Sequence, residues 1–153
     1  IARWKGTIPA GQTNDTSVMC GLDLSPTFCR AAGVTVPGSI KHDGQDMLDA
    51  LLGKPARRSK PIFWQYGKPY ANLMPGNPEF ISPSLAVRDG NWKLLIDPDG
   101  SNAQLFDLAN DPGEKTNRLT DHPDKTKDLW QKVRQWATSV GFETKPAQPT
   151  PPA

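Results

Sequence analysis

Between Ser84 and Leu108 the apolar and polar positions fall into short strand-length runs separated by turn signals, the pattern of consecutive hairpins. Leu85, Ala86 and Val87 run into Asp89-Gly90, a strong two-residue turn signal, and Trp92 to Ile96 returns as the next strand. Pro98 and Gly100 mark a longer turn before a strand over Gln104 to Leu108. Alternation puts Trp92, Leu94 and Ile96 on one face. Upstream, the aromatic-rich run Ile62 to Tyr66 is a further strand candidate. Downstream, His122-Pro123 opens the best helix in the chain. Leu129, Val133, Trp136, Ala137 and Val140 recur at steps of three and four, giving one apolar stripe, and Gly141 stops it. The second half is therefore expected to be a small antiparallel sheet of about four strands with one long helix across a face, an α+β arrangement in which Trp92, Leu94 and Ile96 meet the Trp136 stripe.

The first half is less regular. Ile1 to Trp4 reads as the end of a strand entering a loop. Ser25-Pro26 opens a helix, with proline where its missing N–H costs nothing. Leu24, Phe28, Cys29, Ala31 and Ala32 are expected to supply its buried face, with Gly33 as C-cap. Asp43-Gly44 reads as a turn, and Asp46 caps a short helix through Leu52 that Gly53 ends. Residues 54–60 read as a polar linker, and residues 67–83 as a long loop rich in Pro, Gly and Asn, of a length often tied to function. The tail from Lys145, with prolines at 146, 149, 151 and 152, is expected to be extended and disordered. The boundaries drawn are residues 1–53, 54–144 and 145–153. The short elements of the first part expose more apolar surface than they can bury among themselves, so that surface requires a partner.

Composition changes the picture only at the edges. A chain of 153 residues is one domain or one and a half. Its 16 prolines are about twice the usual share, which favours short elements over a long-helix bundle. A net charge of +2 gives no argument for nucleic acid, and the basic run Lys54, Arg57, Arg58, Lys60 reads as a solvated linker. No apolar run is long enough to span a membrane. The chain begins with Ile1 rather than Met, which suggests a piece of something longer. Cys20 and Cys29 are either buried free thiols or one disulfide, and two cysteines without a nearby His pair do not make a zinc site.

Catalytic constellations are not visible. His122 reads as a surface or capping residue at a helix start, and His42, beside Asp43-Gly44, as a turn residue or a substrate contact. Ser82 and Ser84 have no local base. Asp97 and Asp99 fit a turn better than a calcium site. On residues alone the chain is an α+β domain without evident catalytic groups.

Ordered motifs along the chain add a resemblance. Arg3-Trp4-Lys5-Gly6 with Ile8-Pro9-Ala10-Gly11, Leu22-Asp23-Leu24-Ser25-Pro26-Thr27, and Asp43-Gly44 with Leu51-Leu52-Gly53 come first. Pro61 to Gly67, Leu85-Ala86-Val87-Arg88 with Trp92-Lys93-Leu94-Leu95, and Leu105-Phe106-Asp107-Leu108 with Asp111-Pro112 follow in order. Together they resemble the C-terminal portion of sulfatases, especially the arylsulfatase and N-acetylgalactosamine-6-sulfatase-like group, with Lys5 where that family usually has Pro. The resemblance implies that the first 53 residues end an alkaline-phosphatase-like α/β domain. It implies a sulfuric ester hydrolase acting on sulfated sugars or aryl sulfates, with a calcium ion and a formylglycine on upstream polypeptide absent from this chain. No catalytic or metal-binding residue is carried over, and neither cofactor is expected here. The implied partners are the missing N-terminal sulfatase domain and a sulfated carbohydrate or aryl sulfate, with no nucleic acid and no membrane. The implied location is periplasmic or secreted. Candidate substrate-subsite residues are His42, Trp64, Gln65, Tyr66 and Lys68, since an aromatic beside a cation suits sugar stacking and sulfate contact. The other reading of Trp64, Tyr66 and Lys68 is sheet core and a solvated cation. The alternative function is a stand-alone, non-catalytic module binding carbohydrate or protein.

Overall fold

The hairpin signals of the second half form a four-stranded antiparallel sheet in the computed structural model, whose described residues are 1–66, 81–145 and 148–152. The strands are β1 (Ile62–Gln65), β2 (Leu85–Asp89), β3 (Trp92–Ile96) and β4 (Gln104–Asp107), in spatial order β1-β2-β3-β4. They belong to one of two units into which the chain divides, Ile1–Lys60 and Pro61–Ala153.

In the second unit, Phe63, Val87, Leu94 and Leu105 lie in one cross-strand row, and Leu85 pairs with Ile96. That face packs on α3 (Pro123–Ser139) through Leu129, Trp130 and Val133. Leu94, Ile96, Leu105, Leu129 and Val133 have no exposed surface, so burial of this cluster supplies the main driving force of the unit. The expected contact of the β3 row with the Trp136 stripe is present. Trp92 and Trp136 both pack on the cluster, and Trp136 stacks on Phe63 with centroids 5.2 Å apart and ring planes 4° from parallel. Val140, at the helix end, is exposed instead of buried. The β2–β3 loop is Gly90-Asn91 rather than Asp89-Gly90, because Asp89 pairs with Trp92. Gly90 has φ of +60° and Asn91 is not among the positive-φ residues, the type II′ pattern with glycine first. The outer edge of β4 is covered. Asn117 Oδ1 accepts from Leu105 N–H at 3.0 Å, and Arg118 N–H donates to Leu105 O at 2.7 Å.

The tail is not free of the fold as expected. Thr150 O accepts from Ala103 N–H at 2.7 Å, and Thr150 N–H donates to Gly100 O at 2.9 Å, so the described part of the tail runs as an extra extended segment beside the β3–β4 turn.

The first unit contains a single 3-10 turn (Gly21–Asp23), α1 (Leu24–Ala31) and α2 (Leu48–Leu51). No strand forms at its start. Instead Thr7 and Ile8 N–H both donate to Trp4 O, closing a turn. The C-terminus of α1 closes as expected, with Val34 N–H reaching Cys29 O across Gly33, whose φ is +67°.

The orientation of α1 is the main departure. Leu24 and Phe28, expected inside, are exposed at 45% and 58%. The side turned toward α2 is polar. Asp23 and Thr27 are fully buried, Thr27 Oγ1 accepts from Met47 N–H at 2.9 Å, and Arg30 pairs with Asp46 and Asp49. The basic run is likewise not wholly solvated. Arg58 is buried against Asp23, and Lys60 Nζ donates to His42 O and Gly44 O at 2.8 and 2.9 Å. Gly44 does more than mark a turn. A methyl group there would collide with the Leu22 carbonyl and the Asp23 nitrogen, so the backbone at Gly44 passes where only glycine fits.

Candidate functional site

Strand alternation decides which of the candidate residues share a face. Trp64 pairs with Ala86, and Ala86 with Leu95, so the three form one row. Arg88 pairs with Lys93 in the next row of the same face. This is the face opposite α3. Trp64, Tyr66, Ser84, Arg88, Lys93, Leu95 and Glu114 line a groove of about 460 Å³ on it. Trp64 and Tyr66 present open aromatic surface, at 42% and 40% exposure. Tyr66 is held at the strand end by its N–H, which donates to Ser84 O at 2.7 Å. Ser84 is fixed in turn by Asp97, whose Oδ1 accepts from both its N–H and its hydroxyl.

The polar rim is a bidentate ion pair. Lys93 Nζ donates to both oxygens of Glu114, at 2.7 and 2.8 Å, and both side chains are less than one-third exposed. Arg88 turns back, its Nε donating to Gly90 O at 3.1 Å. Flat aromatic surface bordered by a fixed donor–acceptor pair suits a saccharide, whose ring has apolar faces and a hydroxyl rim.

The remaining candidates lie elsewhere. Gln65 is in register with Leu85 and belongs to the other face of the sheet by alternation. Lys68 lies outside the described residues. His42 is in the first unit, where its Nδ1 lies 3.3 Å from Ser25 Oγ and its Nε2 is buried. Arg88, Lys93 and Glu114 were absent from the candidate set. The signal for the first two was available, since two-residue steps put Arg88 on the face of Ala86 and Lys93 on the face of Leu95, together in the row next to that of Trp64.

The other polar residues singled out have structural roles. His122 makes no side-chain cap and packs edge-on against Trp92, ring centroids 4.7 Å apart. Asp97 and Asp99 hold their turn, with Asp99 accepting from Ser101 N–H and hydroxyl. Cys20 and Cys29 are free thiols. Among the described residues no three His, Cys, Asp or Glu side chains come together as a metal site, and no helix is long and apolar enough to cross a membrane. A wider hollow of about 860 Å³ lies in the first unit between residues 1–19 and 50–55. Asn14 spans part of it, with its Nδ2 donating to Ala50 O at 3.2 Å.

Among the described residues Asp23 is the one buried acid. Burial raises its pKa, but hydrogen bonds from Arg58, Gln45 N–H and Cys20 N–H outweigh that and hold it below the ordinary carboxylate value.

The family model for the C-terminal part of N-sulphoglucosamine sulphohydrolase matches residues 1–139. Mouse arylsulfatase K is 31% identical over 120 residues, covering 77% of this chain and 21% of that protein. The N-acetylgalactosamine-6-O-sulfatase of Bacteroides thetaiotaomicron is 25% identical over 129 residues, covering 84% of this chain and 25% of the relative. Among solved structures, BT1596, a 2-O GAG sulfatase, aligns with a TM-score of 0.53 at 20% identity over 80% of this chain and 26% of its own, a likeness of fold. The chain thus spans between a fifth and a quarter of the length of these curated relatives.

Proposed function

The chain belongs to the sulfatase family, matching the C-terminal part of such enzymes over residues 1–139, and from that premise we propose that it is the accessory part of a sulfuric ester hydrolase acting on sulfated sugars or aryl sulfates. The nucleophile and the cation of that enzyme lie on polypeptide outside these residues. The observation that carries this reading is the match over residues 1–139 to a C-terminal sulfatase model. The residues present do not fit the family's calcium and formylglycine. The resemblance implies a formylglycine made from Cys or Ser in a Cys/Ser-x-Pro/Ala-Ser-Arg motif, whereas Cys20 is followed by Gly21-Leu22-Asp23 and Cys29 by Arg30-Ala31-Ala32. No acidic cluster among the described residues offers a cation site. No chemical step is therefore assigned to this chain.

Its contribution is the groove. Trp64 and Tyr66 stack the sugar of a sulfated substrate, and the Lys93–Glu114 pair orients its hydroxyl or sulfate groups. The same exposed aromatics also suit a stand-alone carbohydrate-binding module, so two measurements are needed. The isolated chain is expected to leave an aryl sulfate intact even with calcium added. The product of the whole reading frame is expected to hydrolyse it, with a higher KM on a sulfated oligosaccharide after Trp64→Ala. Chelator-sensitive turnover by the isolated chain would overturn the proposal. Tight oligosaccharide binding by a reading frame that encodes no sulfatase nucleophile would favour the binding module.

A further inference from the structure

The tail beyond α3 is fastened to the turn that supports one end of the groove. Residues 140–153 lie outside the stretch matched by the family model. Lys145 N–H donates to Pro98 O at 2.8 Å, Thr150 N–H donates to Gly100 O at 2.9 Å, and Thr150 O accepts from Ala103 N–H at 2.7 Å. Gly100 and Ala103 are buried, so the Thr150 bonds serve backbone groups of residues where an unmade bond is costly. The turn held in this way is built around Asp97. Its N–H donates to Ser101 O, its carbonyl accepts from Gly100 N–H, and its Oδ2 accepts from Asn102 Nδ2 at 2.8 Å. Asn102, next to Ala103, has φ of +53°, a sparsely populated backbone state that persists where neighbouring bonds hold it. The other carboxylate oxygen of Asp97 reaches across to β2. Oδ1 accepts from the Ser84 N–H at 3.0 Å and from its hydroxyl at 3.2 Å, and Ser84 O accepts from Tyr66 N–H at 2.7 Å.

We propose that the C-terminal tail is a clasp that positions the aromatic rim of the groove, acting from Thr150 through the turn over residues 97–103, Asp97 and Ser84 on Tyr66. Every link is a hydrogen bond within the second unit. Tyr66 stands past Gln65–Leu85, the last pair of the β1–β2 ladder, and its bond to Ser84 extends the pairing to it. Asp97 and Thr150 are positioning residues, since neither lines the groove. An aromatic ring held in place before the ligand arrives loses less freedom on binding, so the clasp acts on affinity and not on the chemical step. The inference rests on the reading above of the groove as a saccharide site.

The test compares two substitutions at one position. Thr150→Pro removes the N–H that reaches Gly100, whereas Thr150→Ala keeps both backbone bonds and trims only an exposed side chain. In the 153-residue chain, amide exchange at Ala103, Ser84 and Tyr66 is expected to quicken about fivefold in the proline variant, the factor that one net hydrogen bond corresponds to. Exchange at Leu129 and Val133 in α3 is expected to stay as it is. Fluorotyrosine in place of Tyr66 is expected to shift its fluorine resonance in the proline variant, and the alanine variant to match the wild type in both measurements. In the product of the whole reading frame, Thr150→Pro is expected to raise KM for a sulfated tetrasaccharide prepared from heparin and to leave kcat unchanged. Faster exchange at Ala103 alone, with Ser84 and Tyr66 as in the wild type, would overturn the proposal. Faster exchange throughout α3 would do so too, because the tail would then stabilise the unit as a whole. An alanine variant that behaves like the proline one would remove the backbone clasp as the cause. Failure of the functional reading looks different. A product that hydrolyses no sulfate ester but shows the expected exchange pattern removes the saccharide site and leaves the clasp. Hydrolysis with KM and Tyr66 exchange both unmoved by Thr150→Pro does the reverse.

Discussion

The Asp23–Arg58 pair offers the sharpest quantitative test of how the first unit is held. The carboxylate has no exposed surface, and the Arg58 side chain is 7% exposed. Oδ2 accepts from Arg58 and from Cys20 N–H, and Oδ1 accepts from Gln45 N–H. Every oxygen is used, so Asp23→Asn replaces an acceptor by a donor against at least one of these groups and leaves the guanidinium buried without a counter-charge. Arg58 Nη2 is already buried without a partner, so the site has no spare acceptor to absorb the loss. Removing one member of a buried pair costs about 3–5 kcal/mol, and this geometry places Asp23→Asn in that range. Amide exchange measured across a urea series reads the effect locally, at the Gln45 and Cys20 N–H groups. A loss under about 1 kcal/mol at those amides would refute the reasoning, because a solvated or loosely formed pair behaves that way. The pH dependence carries a fixed sign. The folded pKa of Asp23 lies below its unfolded value, so its contribution is complete above pH of about 4 and is lost as pH falls through the folded value. The wild-type chain should lose stability over that acid window, and Asp23→Asn should show a flatter profile there.

Two further substitutions test the packing of each unit. Trp136→Ala removes a half-buried indole stacked on Phe63 and should destabilise the second unit by about 2–4 kcal/mol, less than for a fully buried Trp. An unchanged melting curve would place the helix elsewhere. Gly44→Ala drives a methyl group into the Leu22–Asp23 backbone and should cost about 1–3 kcal/mol or more by overpacking, accompanied by faster exchange at Gln45. Normal exchange there would mean that the backbone yields freely.

The second half was legible because its signals are local. Turn chemistry at Gly90 and Gly100, alternation along β3 and the three- and four-residue steps of α3 all point to one arrangement. What escaped prediction depends on partners distant in sequence. An amphipathic pattern states which side of α1 is apolar but not which side is covered, and the Thr27–Met47 and Asp23–Gln45 bonds decide that from about twenty residues away. Arg58 sits in a run that reads as a solvated linker, and only the pairing across 35 residues makes it a buried group. The tail carries no periodicity, so its backbone bonds to Gly100 and Ala103 leave no trace in side-chain pattern. The groove was half readable. Trp64 and Tyr66, two apart, share a face by alternation, and the same rule sends Gln65 to the other. Glu114 enters only through the loop that folds back to Lys93.

The two units are built on different physics, and the difference bears on their roles. The second unit buries a continuous apolar cluster of its own, from Leu85 to Val133, and so has an internal source of stability. The first is fixed largely by polar contacts: Asp23 with Arg58, Thr27 with Met47, Arg30 with Asp46 and Asp49, and Gln45 with Arg57, Ser59 and Lys60. Such bonds contribute only about 1 kcal/mol each net of water, but leaving any of them unmade while buried costs more than making it gains. They therefore select one geometry strongly while stabilising it weakly. A segment of that kind holds a definite shape and leaves its apolar side chains outward, where the free energy of covering them remains available for association. The second unit thus draws its stability from an apolar core of its own, whereas the first takes its shape from polar bonds that leave Leu24 and Phe28 exposed.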